Sequence, residues 1–101
     1  METAVTAQTD LTNIRLRLDA VDERLVDVLL ERTRLIGEVI QFKRAHTMAV
    51  VDRPREDAML SRIEALAESK GLDPRIARQV LRAIIDSFTL LEVEQLGDGA
   101  S

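Results

Sequence analysis

Apolar residues return along the first half of the chain at alternating steps of four and three. They fall at Ile14, Leu18, Val21, Leu25 and Val28, and the series resumes at Leu35, Val39 and Phe42. This is the stripe of an amphipathic helix. Arg32 stands where the series skips a position. Asp10 is the expected N-cap, and the stretch that follows holds one glycine, Gly37, and no proline. One helix of about 35 residues, near 50 Å long, is expected from Asp10 to Ala45. Residues 46–53 read as a loop. Pro54 opens a second helix with Asp52 just outside it, and Met59, Leu60, Ile63 and Leu66 lie on one side. Gly71 suits its left-handed C-terminus. Asp73-Pro74 then starts a third helix carrying Ile76, Val80, Leu81, Ile84, Ile85, Phe88 and Leu91, ended by Gly97. No strand-like alternation or internal repeat is present. The expected fold is all-α: a helical domain over 10–96 between disordered tails, 1–9 and 97–101.

This geometry implies a partner. A compact domain of about 100 residues has a radius of gyration near 13 Å, so the first helix outreaches it. Two shorter helices cannot cover the whole stripe. A second copy would, giving an intertwined homodimer. The competing fold breaks the helix near Gly37 into a monomeric bundle, but one glycine costs only about 1 kcal/mol and does not force a break.

Composition narrows the chemistry. The 101 residues carry 14 basic and 18 acidic side chains, for a net charge of −4. That opposes nucleic-acid binding, and two phenylalanines with no Trp or Tyr give no stacking platform. Without cysteine and with one histidine, thiolate sites, cysteine nucleophiles and most His-based metal sites drop out; no metal and no cofactor are expected. No apolar run is long enough for a membrane span, and no secretory signal is seen, so the expected compartment is cytoplasmic.

Charges sit where apolar residues belong. Arg32 occupies the seam, and Lys43 follows on the same helix face, roughly 20° past three full turns and about 16 Å along. Arg15 lies roughly 100° round from Arg32 and can join these cations only from a second subunit. Glu92 interrupts the seam of the third helix, and a buried carboxylate needs a partner or a proton. Asp52-Arg53-Pro54-Arg55-Glu56 adds two cations, an acidic pair and the free N–H groups of a helix start. Together these describe a buried cationic pocket with one carboxylate, suited to a small dianion gripped by guanidinium forks. Taken singly, each has a plainer reading. Arg32 can snorkel or pair with Glu31 or Asp27, Lys43 suits a helix C-terminus, Arg55 and Glu56 suit a first turn, and Glu92 can sit at the seam's border. His46 reads as a solvated loop residue. The conjunction carries the inference.

These stretches resemble the all-helical chorismate mutases over nearly the whole chain. The resemblance rests on Ile14-Arg15 with Leu18-Asp19-x-Val21-Asp22-x-x-Leu25, then Leu29-Leu30-Glu31-Arg32, Val39-Ile40-x-Phe42-Lys43, Asp52-x-x-Arg55-Glu56, and a last helix with Ile84-Ile85 and Glu92. It implies a dimer of three-helix subunits that converts chorismate to prephenate. By this analogy Arg15 of one subunit and Arg32 of the other bind the substrate carboxylates. Lys43 and Glu92 face the ether oxygen, Arg55 assists there, and Glu56 with the Asp52 backbone meets the ring hydroxyl. Members often carry Gln in place of Glu92, and a serine often found four residues earlier is Phe88 here, beside Ser87. Glu92 would have to donate a hydrogen bond, so activity is expected to fall as pH rises and Glu92→Gln to flatten the profile. An isochorismate pyruvate lyase or aminodeoxychorismate mutase on the same fold is the neighbouring reading, although the length of residues 44–54 looks mutase-like. A non-catalytic helical dimerisation module explains the stripe but not Arg32, and a helix-turn-helix DNA binder is opposed by the charge.

Overall fold

The computed structural model describes the backbone of residues 2–97 and the side chains of residues 6–97. Three helices follow one another: α1 over Glu2–His46, α2 over Arg53–Lys70 and α3 over Pro74–Leu96. Among the described residues there is no strand, and no helix is long and apolar enough to cross a membrane. The chain divides into two units, residues 1–35 and 36–101.

The first unit is the N-terminal part of α1 alone. Its helix begins at Glu2, not at Asp10 as expected, so residues 2–9 are helical and not a tail. Nothing in that stretch resists helix: it holds no proline or glycine, and Ala4, Ala7 and Gln8 are good helix formers. The Thr12 hydroxyl donates back to the Gln8 carbonyl, 2.9 Å away. Asp10 is therefore interior to the helix. A single helix has nothing of its own to bury a stripe against, and Ile14, Leu18, Val21, Leu25, Val28 and Leu35 are all exposed.

The second unit takes in the end of α1, the following loop, α2 and α3. Its core is Ile40, Val50, Leu60, Ala67 and Ile85, with α2 packed on α3. The helix ends follow their sequence. α1 stops at Thr47, which holds a left-handed φ of 52°, while the Met48 N–H donates to the Lys43 carbonyl at 3.1 Å. The Asp52 carboxylate caps α2 by accepting from the Arg55 N–H at 3.1 Å, and Pro54 sits in the first turn. Gly71, at φ 78°, closes α2: its N–H reaches the Glu68 carbonyl and the Leu72 N–H the Ala67 carbonyl. Asp73 caps α3 through the Arg75 N–H, and the Arg75 guanidinium beside it holds the Asp73 carboxyl below the usual range. Gly97 ends α3 as expected, and residues 98–101 of the expected C-terminal tail lie outside the described residues. On the expected faces Leu60 and Ile85 are buried and Leu81, Ile84, Phe88 and Leu91 half-buried, whereas Leu66, Ile76 and Val80 are exposed.

Candidate functional site

The second unit gathers charged side chains in two linked places. At the first, the Lys43 ammonium donates to the Glu92 carboxylate at 2.9 Å and to the Val50 carbonyl at 2.8 Å. Both side chains are largely withdrawn from water, 15% exposed for Lys43 and 9% for Glu92. An ion pair this dry is held by mutual neutralisation, and removing one partner from such a pair typically costs about 3–5 kcal/mol. α1 delivers Lys43 in its last turn, α3 delivers Glu92 near its C-terminus, and the loop between α1 and α2 supplies Val50. The Arg44 guanidinium adds a bond to the Gln95 carbonyl at 2.9 Å, tying the ends of α1 and α3 together.

The second place begins two residues beyond Val50. Asp52 caps α2 as described, and Arg55, which provides the capped N–H, is exposed. One residue on, Glu56 is buried, and its backbone N–H donates to the Asp52 carbonyl at 3.0 Å. A buried carboxylate requires charge compensation, and a residue not singled out from the sequence provides it. Arg82 of α3 donates through Nη2 to Glu56 Oε1 at 2.6 Å. Arg53 approaches the same oxygen at 3.3 Å from a side chain that is 74% exposed. Arg82 is itself braced by Asp86 Oδ1, at 2.7 Å from Nη2 and 3.2 Å from Nε. These bonds to Asp86 and Glu56 hold its guanidinium above the ordinary arginine range. In the sequence, Arg82 and Asp86 read as a routine surface pair one helical turn apart. The signal that would have singled out Arg82 is the carboxylate on the other helix.

Arg15 and Arg32 belong to the first unit, where Arg15 is exposed and Arg32 half-buried. His46 donates from Nδ1 to the Phe42 carbonyl at 2.8 Å and stacks on the Phe42 ring, with centroids 4.0 Å apart; this is a helix-end contact. Among the described residues no cluster of His, Cys, Asp and Glu could hold a metal ion.

Residues 14–93 match the family model described as "Chorismate mutase type II". The chain belongs to this family. Among curated relatives, the T-protein of Enterobacter agglomerans is 33% identical over 81 residues, covering 79% of this chain and 22% of that protein. The chain therefore spans about a fifth of that relative. The chorismate mutase of Methanocaldococcus jannaschii is 24% identical over 86 residues, covering 85% of this chain and 87% of that protein. The 4-amino-4-deoxychorismate mutase of Streptomyces pristinaespiralis is 29% identical over 100 residues, 98% of this chain and 78% of that protein. No solved structure matches the chain. Membership accounts for the all-helical fold.

Proposed function

We propose that this chain is a chorismate mutase that acts as a homodimer and needs no cofactor. The observation that carries the reading is the dry Lys43–Glu92 pair tied to the Val50 carbonyl, within a chain of the mutase family. In the rearrangement the ether C–O bond of chorismate breaks while a new C–C bond forms, and the electrons move in a ring within the substrate. No nucleophile attacks and no proton must leave. The protein's tasks are to hold the flexible dianion folded and to stabilise negative charge growing on the ether oxygen. Preorganised donors in a dry site do the second, at about 3–4 kcal/mol for a key donor, and restriction of the substrate adds to it.

In this reading Lys43 and Glu92 face the ether oxygen. Arg32 of one subunit and Arg15 of the partner subunit take the two carboxylates, Arg55 assists, and Glu56 with the Asp52 backbone receives the ring hydroxyl. The exposed stripe of the first unit supports the dimer, since six apolar residues along one helix call for a covering surface.

The test is turnover of chorismate by the purified chain beside Arg32→Ala and Lys43→Ala. Wild type is expected to produce prephenate and each variant to lose about 10²–10³-fold in kcat/KM. Circular dichroism melts show that the variants are folded under assay conditions. Folded variants with near-wild-type turnover would contradict the site.

A further inference from the structure

Arg82 is a strongly bound cation of the second unit that the proposed mechanism does not use. It joins two carboxylates: Glu56, buried at the start of α2, and Asp86, on its own helix. Asp86 is the open end of this chain, with a side chain 65% exposed, and Glu56 the closed end, 9% exposed. Both ion pairs to Glu56 fall on the same oxygen, Oε1. These two bonds hold the carboxylate by one oxygen. Because Arg53 is 74% exposed and its pairing screened by water, Arg82 supplies most of the neutralising charge.

We propose that Arg82 is a specificity-determining positioning residue: by cancelling the charge of Glu56 it tunes the site for a neutral hydroxyl and against an ammonium at the same ring position. The proposal rests on the reading that Glu56 meets the substituent carried at that position. A carboxylate whose charge is spent on a guanidinium still accepts a hydrogen bond from a hydroxyl. It offers little Coulombic attraction to a cation. A carboxylate without that guanidinium favours the cation. The two candidate substrates differ here: chorismate carries a hydroxyl, and 4-amino-4-deoxychorismate an amine that is protonated near neutral pH. A mutase relative named for the amino compound covers 98% of this chain, so the choice between them is open to adjustment on this scaffold.

The experiment measures kcat/KM for chorismate and for 4-amino-4-deoxychorismate at pH 7 on the full chain. Where the amine is not turned over, its inhibition constant against chorismate takes the place of its kcat/KM. The variants are Arg82→Gln, Asp86→Asn, Glu56→Gln and the Glu56→Gln/Arg82→Gln double. Arg82→Gln is expected to shift the preference about tenfold toward the amine, and Asp86→Asn, which leaves the whole guanidinium charge to Glu56, about threefold the other way. In the Glu56→Gln background the Arg82 change is expected to do nothing to the ratio, because Arg82 acts through that carboxylate. A purely structural role would lower both activities together. An unchanged ratio in Arg82→Gln, or a shift that persists without the Glu56 carboxylate, overturns the proposal. If Arg82→Gln does not fold, Asp86→Asn decides it, and an unchanged ratio there overturns it equally. Wild-type ratios and activities in Glu56→Gln remove Glu56 from the site, and with it the proposal, while chorismate turnover stands. Absence of wild-type turnover defeats the underlying reading and the proposal together.

Discussion

An ammonium group has three N–H donors, and Lys43 spends one on Glu92 and one on the Val50 carbonyl. The third is the donor assigned to the ether oxygen. Two fixed partners set its direction, which is the preorganisation that electrostatic catalysis requires. Glu92 presents the sharper question, since an ionised carboxylate at the ether oxygen repels the charge that develops there. Glu92→Gln keeps a carbonyl oxygen for Lys43 and replaces the acid by a permanent N–H donor. The expected outcome is a Gln variant that turns chorismate over at least as fast as wild type. Steady-state kinetics on the two proteins check this, and a folded Gln variant that is far slower would contradict the need for a donor at this position. The pairing of Glu92 with Lys43 spans 49 positions; the sequence joined the two as members of one charged pocket and, through the resemblance to a family, as neighbours. The Glu56–Arg82 contact spans 26 and stayed hidden, because nothing local to Arg82 distinguishes it from a solvated charge.

The elements were more legible than the contacts. Asp52, Gly71 and Asp73-Pro74 mark helix ends through bonds made within a few residues, and the structure places helix ends there. The start of α1 was misplaced for the same reason. Asp10 has the chemistry of an N-cap, but the small residues before it already favour helix, and a cap acts only where the helix stops. Exposure of Leu66, Ile76 and Val80 was also illegible, since periodicity gives a face and not its covering. One junction carries a cost the sequence does not explain. Thr47 holds a left-handed φ of 52° with a β-branched side chain, a conformation that favours glycine. Thr47→Gly is expected to raise stability by about 1 kcal/mol in chemical denaturation, with the Met48 to Lys43 backbone bond retained. A loss of stability would mean that the Thr47 side chain holds the junction leading to Val50.

At the scale of the molecule, the exposed stripe of the first unit is the physical support for the proposed dimer. The helix from Glu2 to Leu35, with Leu11, Ile14, Leu18, Val21, Leu25, Val28 and Leu35 all exposed, forms an unfinished surface. Burying a side chain of this size contributes about 1.5–3 kcal/mol, so a partner of the same kind has much to gain. A second copy would also bring in Arg15, which lies on a different helix face from Arg32. The central claim is therefore that each catalytic site combines Lys43 of one subunit with Arg15 of its partner. Co-refolding inactive Arg15→Ala and Lys43→Ala chains tests it directly. Random pairing makes half of the dimers mixed, and each mixed dimer has one site with both residues intact, so about a quarter of wild-type chorismate mutase activity should return. Mixed dimers that form but stay inactive would contradict the account.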